Sequence, residues 1–118
     1  MSSQPDLACN LEALTPVQRE HHTAQSPLLF ASVQEARALA DGYAFRLPDA
    51  PDILARTADF MAHERLCCPF FQFGLTIEPY SKAIWISLSG PQGVKELIEA
   101  EMGGYLPQDV ALAAGLRS

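Results

Sequence analysis

Residues 71–89 of the chain read FQFGLTIEPYSKAIWISLS, and this stretch decides the fold class. Apolar residues alternate with polar or small ones from Phe71 to Ile77, and the alternation resumes from Ile84 to Leu88. Such alternation is typical of a strand with one face on a core. Because Pro79-Tyr80-Ser81-Lys82 is typical of a turn, the stretch predicts a β-hairpin.

A second hairpin is predicted upstream. Asp41-Gly42 is a strong hairpin-turn sequence, and apolar residues alternate with others from Tyr43 to Leu47. Two strands over about 33–40 and 43–48 are therefore expected. The alternative for the first of them is a helix, because Ser32-Val33-Gln34-Glu35 matches a capping box.

Three helices are predicted around the hairpins. The first begins at Thr15-Pro16-Val17-Gln18, a capping box with proline at the first helical position, and is expected to end near Gln25, before Pro27. The second covers about 53–66, with Asp52 as its cap. The third begins at Gly90-Pro91 and ends at Gly103-Gly104.

The order α-ββ-α-ββ-α predicts an α+β fold with two layers, in which a four-stranded antiparallel sheet carries the helices on one face. The 118 residues suffice for one domain covering 1–118. Residues 1–8 are expected to form a loose lead-in. Residues 105–118 are expected to form a C-terminal tail whose apolar residues dock on the domain or join two copies in a homodimer.

Composition excludes several classes of partner. The net charge is −6 and the eight basic residues are scattered, so nucleic acid is not expected to bind. No apolar run is long enough to cross a membrane, and the first residues lack the pattern of a secretory signal. We therefore expect a cytoplasmic protein.

The chain contains three cysteines, Cys9, Cys67 and Cys68. An odd number with two adjacent members is a poor disulfide framework, which favours reduced thiols in a cytoplasm.

Glu64 falls on the apolar face of the second predicted helix. At 100° per residue it lies about 20° from Ile53, and Cys67 and Cys68 follow it on the same face. A carboxylate there is costly unless it is paired, hydrogen-bonded, protonated or bound to a metal. Three alternatives stay open: a structural contact with backbone amides or Arg46, a role as ligand or acid–base group, or a solvent position at a misplaced helix end.

The Cys67-Cys68 pair also has three interpretations. The residues could be buried core hydrophobes in a structural or interaction domain. They could bind a thiophilic ion such as Zn(II), Cu(I) or Hg(II), with Cys9 and Glu64 assisting. The adjacent cysteines do not match a standard zinc spacing. They could also act in thiol redox chemistry, as a vicinal disulfide or as a nucleophile resolved by its neighbour.

Other candidate residues carry weaker patterns. His21 and His22 are predicted on a solvated helix face, and His63, one turn before Cys67, falls on the polar side of its helix. Gly90-Pro91-Gln92-Gly93 is typical of a strand-to-helix turn, with an anion cradle as the alternative. The sequence contains neither a Ser/His/Asp constellation nor a nucleotide-binding fingerprint, so no enzymatic reaction is predicted.

The segment Glu64-Arg65-Leu66-Cys67-Cys68-Pro69-Phe70 resembles that of a group of small bacterial proteins with an E-R-x-C-C-P-F segment. The similarity covers about residues 9–102, including Cys9, the Thr15-Pro16 helix start and the Gly90–Gly93 segment. It implies an association with heavy-metal resistance, especially to mercury. It also implies that Cys9, Glu64, Cys67 and Cys68 form one metal-binding constellation, to which His21 and His22 do not belong.

Overall fold

A computed structural model describes residues 7–116 of the chain. Its strands form one antiparallel sheet in the order β1-β2-β4-β3. They are β1 (Glu35–Leu39), β2 (Gly42–Leu47), β3 (Gln72–Ile77) and β4 (Ile84–Ser89). The predicted α+β class, with two hairpins in a four-stranded sheet, is confirmed. Residues 1–6 of the expected lead-in lie outside the described residues.

The helices are α1 (Pro16–Ala31), α2 (Ile53–Cys67), α3 (Val94–Met102) and α4 (Gln108–Ala113), with short 3-10 turns at Leu11–Ala13 and Gly103–Tyr105. The predicted capping box at Thr15 and Gln18 is confirmed. The predicted end of α1 near Gln25 is wrong, because the helix continues through Pro27 to Ala31. Burial of Leu29 and Phe30 against the sheet offsets the backbone hydrogen bond that Pro27 cannot donate.

The first hairpin turns one residue earlier than predicted. Leu39 pairs with Gly42, so the turn consists of Ala40 and Asp41, and Gly42 already belongs to β2. A Cβ atom at Gly42 would lie 1.9 Å from the carbonyl oxygen of Leu88 in β4. Glycine is therefore required there for the close approach of two strands.

The core lies between the helices and the middle strands of the sheet. Phe45 in β2 and Ile86 in β4 are opposite each other and fully buried. Phe30 of α1 packs edge-on against Phe45 and against Phe60 of α2, with ring centroids 5.3 and 5.2 Å apart. These contacts fix α1 and α2 on the sheet and, with them, the C-terminal end of α2.

Strand β3 lies at an edge of the sheet. Leu75 and Ile77 pair with Ile86 and Ile84, so they point to the helix side, yet they are 41% and 52% exposed. The alternation correctly predicted the strand. The expected burial is incomplete, because the helices cover the middle of the sheet rather than this edge.

Two helix starts differ from the predictions. Asp52 precedes α2 but makes no side-chain hydrogen bond as a cap. Helix α3 begins at Val94 rather than at Gly90-Pro91, after Gly93 in a left-handed conformation with φ of 98°. The Gly90–Gly93 segment is thus a strand-to-helix turn, in which the amide of Val94 donates to the carbonyl of Pro91.

The C-terminal tail docks on the same core. Leu106, Ala111 and Leu116 are buried in the main hydrophobic cluster, and α4 packs against β1. Within residues 7–116, no helix combines the length and the apolar character that a membrane crossing would need.

Candidate functional site

The C-terminal end of α2 places Glu64, Cys67 and Cys68 together in the interior. The amide of Cys68 donates to the carbonyl of Glu64 at 2.8 Å, which carries the helical path to Cys68 before Pro69 ends it. Glu64 is only 7% exposed, and each cysteine is 1% exposed. The predicted interior position of the acid is confirmed, and its alternative as a solvent-facing residue is wrong.

Cys9 and Cys68 form a disulfide bond. The N-terminal segment runs alongside the end of α2, where the amide of Asn10 donates to the carbonyl of Cys67 at 2.7 Å. The interpretation of all three cysteines as reduced thiols is therefore wrong for Cys9 and Cys68 in this structure. The two residues lie 59 positions apart, so cysteine spacing gave no sign of the pair. Cys9 shares a set of neighbouring ligand atoms with Glu64 and Cys68, whereas Cys67 shares one with Glu64 and His22.

Cys67 is left as a buried free thiol beside the disulfide. Its Sγ atom lies 3.7 Å from the Sγ of Cys68 and 3.6 Å from the Oε1 of Glu64. Burial, reinforced by the charge of Glu64, raises the pKa of the Cys67 thiol to about 12. Cys67 therefore keeps its proton at neutral pH. The vicinal Cys67–Cys68 disulfide is not formed here, because Cys68 is bonded to Cys9.

Glu64 is paired with His22 rather than with Arg46. The Nε2 atom of His22 lies 2.7 Å from the Oε1 of Glu64. Arg46 is opposite Trp85 in the sheet and lies with its Nε 3.4 Å from the Oε1 of Glu35. Because side chains alternate along β2, Arg46 points away from the helices that its neighbours Phe45 and Leu47 face.

His22 is a site residue that the sequence interpretation missed. It was predicted on a solvated face, but it is 5% exposed and stacks on Phe60 with ring centroids 5.4 Å apart. The available signal was the spacing of His22 with Leu29 and Phe30, which lie seven and eight positions later on the same helical face. His21 is exposed, as predicted, and contacts Asp59 at 2.7 Å.

His63 does not join the sulfurs as a chelating partner of Cys67. Its Nδ1 atom lies 2.8 Å from the carbonyl oxygen of Asp59, and its ring stacks against that of His22 with centroids 5.7 Å apart. It is half-buried, so it supports the His22 ring without entering the sulfur cluster.

Two overlapping sets of ligand atoms meet at Glu64. Cys9, Glu64 and Cys68 offer one set, and His22, Glu64 and Cys67 offer the other, with the atoms of each set within 4.8 Å of one another. A cavity of about 220 Å³ opens onto both sets between α1 and the end of α2. While the disulfide is intact, Cys67 is the one cysteine of the cluster that carries a free thiol. Reduction of the disulfide adds two more.

Comparison of the chain with protein-family models, with curated proteins and with solved structures finds no match. The geometry itself defines the class: an α+β protein with a buried His–Glu–Cys cluster beside a disulfide that joins its N-terminal segment to the end of α2.

Proposed function

We propose that the protein, with its disulfide reduced, binds a thiophilic metal ion through Cys67, Cys68 and Cys9, with Glu64 as an additional ligand. One observation carries this proposal. Cys67 Sγ lies 3.7 Å from Cys68 Sγ and 3.6 Å from the buried carboxylate of Glu64, and Cys9 is bonded to Cys68 and shares a set of neighbouring ligand atoms with Glu64.

The ligand chemistry supports a soft metal. Thiolates favour Cu(I), Zn(II) and Hg(II) over hard cations such as Mg(II) and Ca(II). Reduction of the Cys9–Cys68 bond gives three thiols, each with its sulfur within 4.8 Å of a carboxylate oxygen of Glu64. A bound ion displaces their protons, so metal binding releases protons, and the raised pKa of Cys67 makes binding weaker at low pH and stronger as the pH rises.

The candidate ions differ in how many thiolate ligands they need. Two or three thiolates are enough for Cu(I) or Hg(II), and the resemblance to proteins associated with mercury resistance agrees with that choice. Zn(II) requires four ligands, and Glu64 or His22 would have to complete the set. His22 also holds Glu64 in place at 2.7 Å, as residues behind metal ligands commonly do.

The burial of Cys67 and Cys68 favours a second function, that of a structural or interaction domain. Cys67 and Cys68 are each 1% exposed and pack with Leu14, as cysteines in a purely structural core would. In that case the protein is an interaction domain whose disulfide only fastens its N-terminal segment.

Native mass spectrometry of the phosphine-reduced protein with Zn(II), Cu(I) or Hg(II) distinguishes the two functions. The proposal predicts one ion per chain, with binding weakened at least about tenfold in Cys67→Ser. A matched control is Glu20→Gln, an exposed acid on α1, which should bind like the parent while Glu64→Gln binds more weakly. If the parent and Cys67→Ser bind equally, or if no ion binds, the metal-binding proposal is contradicted and the structural function is favoured.

A further inference from the structure

The disulfide of this site has one accessible end, and a cavity leads to it. Cys68 is 1% exposed, whereas Cys9 is only partly buried. The cavity of about 220 Å³ is lined by all three cysteines and opens past Leu11 and Tyr105, which are 44% and 45% exposed. Of the two bonded residues, Cys9 is therefore the one that an entering small molecule can reach more easily.

The charge of this cavity is one-sided. Its acidic lining residues are Glu101 and Glu64, of which Glu64 is paired with His22, and none of the described lining residues is lysine or arginine. Glu101 is exposed near the end of α3 and lines the cavity, so its negative charge lies where a molecule enters from solvent. The field at the cavity therefore favours a cation over an anion.

We propose a further activity at this site: thiol–disulfide exchange with a cationic low-molecular-weight thiol, which attacks Cys9 and expels Cys68. It rests on the proposed function in one respect, since it is the reaction that would convert the disulfide into the metal-binding thiols. The thiol is a substrate in its own right and is oxidised in the exchange.

The exchange takes two steps. In the first, a thiolate RS⁻ attacks the Sγ of Cys9; an S–S bond to Cys9 forms, the Cys9–Cys68 bond breaks, and its electron pair leaves on the Sγ of Cys68, which takes a proton from solvent. In the second, another RS⁻ attacks the R sulfur of the mixed disulfide; an S–S bond forms between the two R sulfurs, the bond to Cys9 breaks, and RSSR leaves while the Cys9 thiolate takes the second proton from solvent. Overall, two RSH reduce one protein disulfide and leave as RSSR.

Cys67 assists the departure of Cys68. Its Sγ atom lies 3.7 Å from the leaving sulfur, and the S–H of Cys67 is the donor of this contact because Cys68 is bonded to Cys9. As charge develops on Cys68, the S–H of Cys67 can donate a hydrogen bond to it. A donor at this position stabilises the leaving thiolate, and a faster-leaving sulfur speeds the exchange. Cys67 is thus a positioning residue for the exchange.

The test measures how fast cysteamine, 2-mercaptoethanol and mercaptoacetate open the disulfide of the folded protein. Each rate is divided by the rate of the same thiol with hydroxyethyl disulfide, which cancels the intrinsic reactivity of the thiol. We expect the normalised rate of cysteamine to exceed that of mercaptoacetate about tenfold at low salt and the ratio to fall as salt is added. Alkylation quenching and peptide mass mapping should place the first adduct on Cys9.

Two pairs of variants sharpen this test. Glu101→Gln should lower the cysteamine-to-mercaptoacetate ratio, whereas Glu20→Gln, on α1 and outside the cavity lining, should not. Cys67→Ala should slow the opening, and Cys67→Ser, which keeps a donor, should restore most of the rate. The proposal is overturned if the first adduct is on Cys68, or if the three normalised rates are equal.

Failure of the exchange and failure of metal binding are separate results. A phosphine reduces the disulfide without forming a mixed disulfide with Cys9. A phosphine-reduced protein that binds Hg(II) but shows no charge preference in exchange would reject only the exchange proposal. A protein that reacts faster with cysteamine than with mercaptoacetate but binds no ion would reject only the metal-binding function.

Discussion

The Nε2 atom of His22 lies 2.7 Å from the Oε1 of Glu64, and both side chains are almost fully buried. A buried pair of this kind stabilises little in total, but removing one partner leaves the other without compensation. His22→Phe and Glu64→Leu should therefore each lower the free energy of unfolding by about 3 kcal/mol, and the double variant should lose clearly less than the sum. Urea unfolding of the four proteins measures this coupling.

The exposed pair of His21 and Asp59 is the matched control for that cycle. Its atoms are also 2.7 Å apart, but both side chains reach solvent. His21→Phe should cost less than about 1 kcal/mol. Additive losses for His22→Phe and Glu64→Leu would show that the buried contact does not couple the two residues.

The Cys9–Cys68 disulfide should stabilise the fold by restricting the unfolded chain. It links residues 59 positions apart, and a loop of that length corresponds to about 4 kcal/mol. Guanidinium unfolding of the oxidised and the phosphine-reduced protein measures the difference. Cys9→Ser should match the reduced parent, because both lack the cross-link. A Cys9→Ser protein as stable as the oxidised parent would contradict this prediction.

Gly42 should tolerate no side chain. A Cβ atom there would meet the Leu88 carbonyl oxygen at 1.9 Å, which forces β2 and β4 apart. Gly42→Ala should therefore cost about 3 kcal/mol or prevent folding. Gly104→Ala, where a Cβ atom meets no neighbour within 4 Å, should change the stability by less than about 0.5 kcal/mol. Thermal unfolding of both variants provides the comparison, and equal stabilities would be the contrary result.

Tyr43 should make the fold sensitive to alkaline pH. Burial, reinforced by a 2.7 Å hydrogen bond that its hydroxyl donates to Glu99, raises the pKa of Tyr43 to about 12. In the unfolded chain the phenol titrates near about 10. Because the folded state holds this proton more tightly, the stability from this group is complete below about pH 10 and declines as the pH rises towards 12.

Denaturant unfolding between about pH 8 and pH 11 tests the Tyr43 prediction. Tyr43→Phe should show a shallower alkaline loss than the parent. Tyr80→Phe, which alters a fully exposed tyrosine, should follow the parent. The same slope in all three proteins would mean that Tyr43 titrates alike in the folded and unfolded states.

The sequence predicted the part of the site that lies on one helix. Glu64, Cys67 and Cys68 are neighbours in sequence, and helical periodicity alone places them on one interior face. Strand alternation likewise predicted both hairpins. The same alternation argues against the Arg46–Glu64 contact. Arg46 lies between Phe45 and Leu47 in β2, whose side chains point to the helices, so its own side chain points away from Glu64.

The remaining partners depend on tertiary packing, which the sequence does not display. Cys9 is 59 positions from Cys68, and His22 is 42 positions from Glu64. Only the packing of α1 on α2, and the path of the N-terminal segment beside α2, brings them to the site. The choice of Cys9 and Cys68 as the bonded pair, with Cys67 left free, therefore follows from that path and not from the number of cysteines.

X-ray absorption spectroscopy of the phosphine-reduced protein loaded with Hg(II) tests the central claim most directly, because it identifies the atoms bonded to the ion. Two or three sulfur neighbours in the parent, with one lost in Cys67→Ser, are the predicted result. A spectrum dominated by nitrogen and oxygen neighbours, or one that Cys67→Ser leaves unchanged, would contradict a metal site at the end of α2.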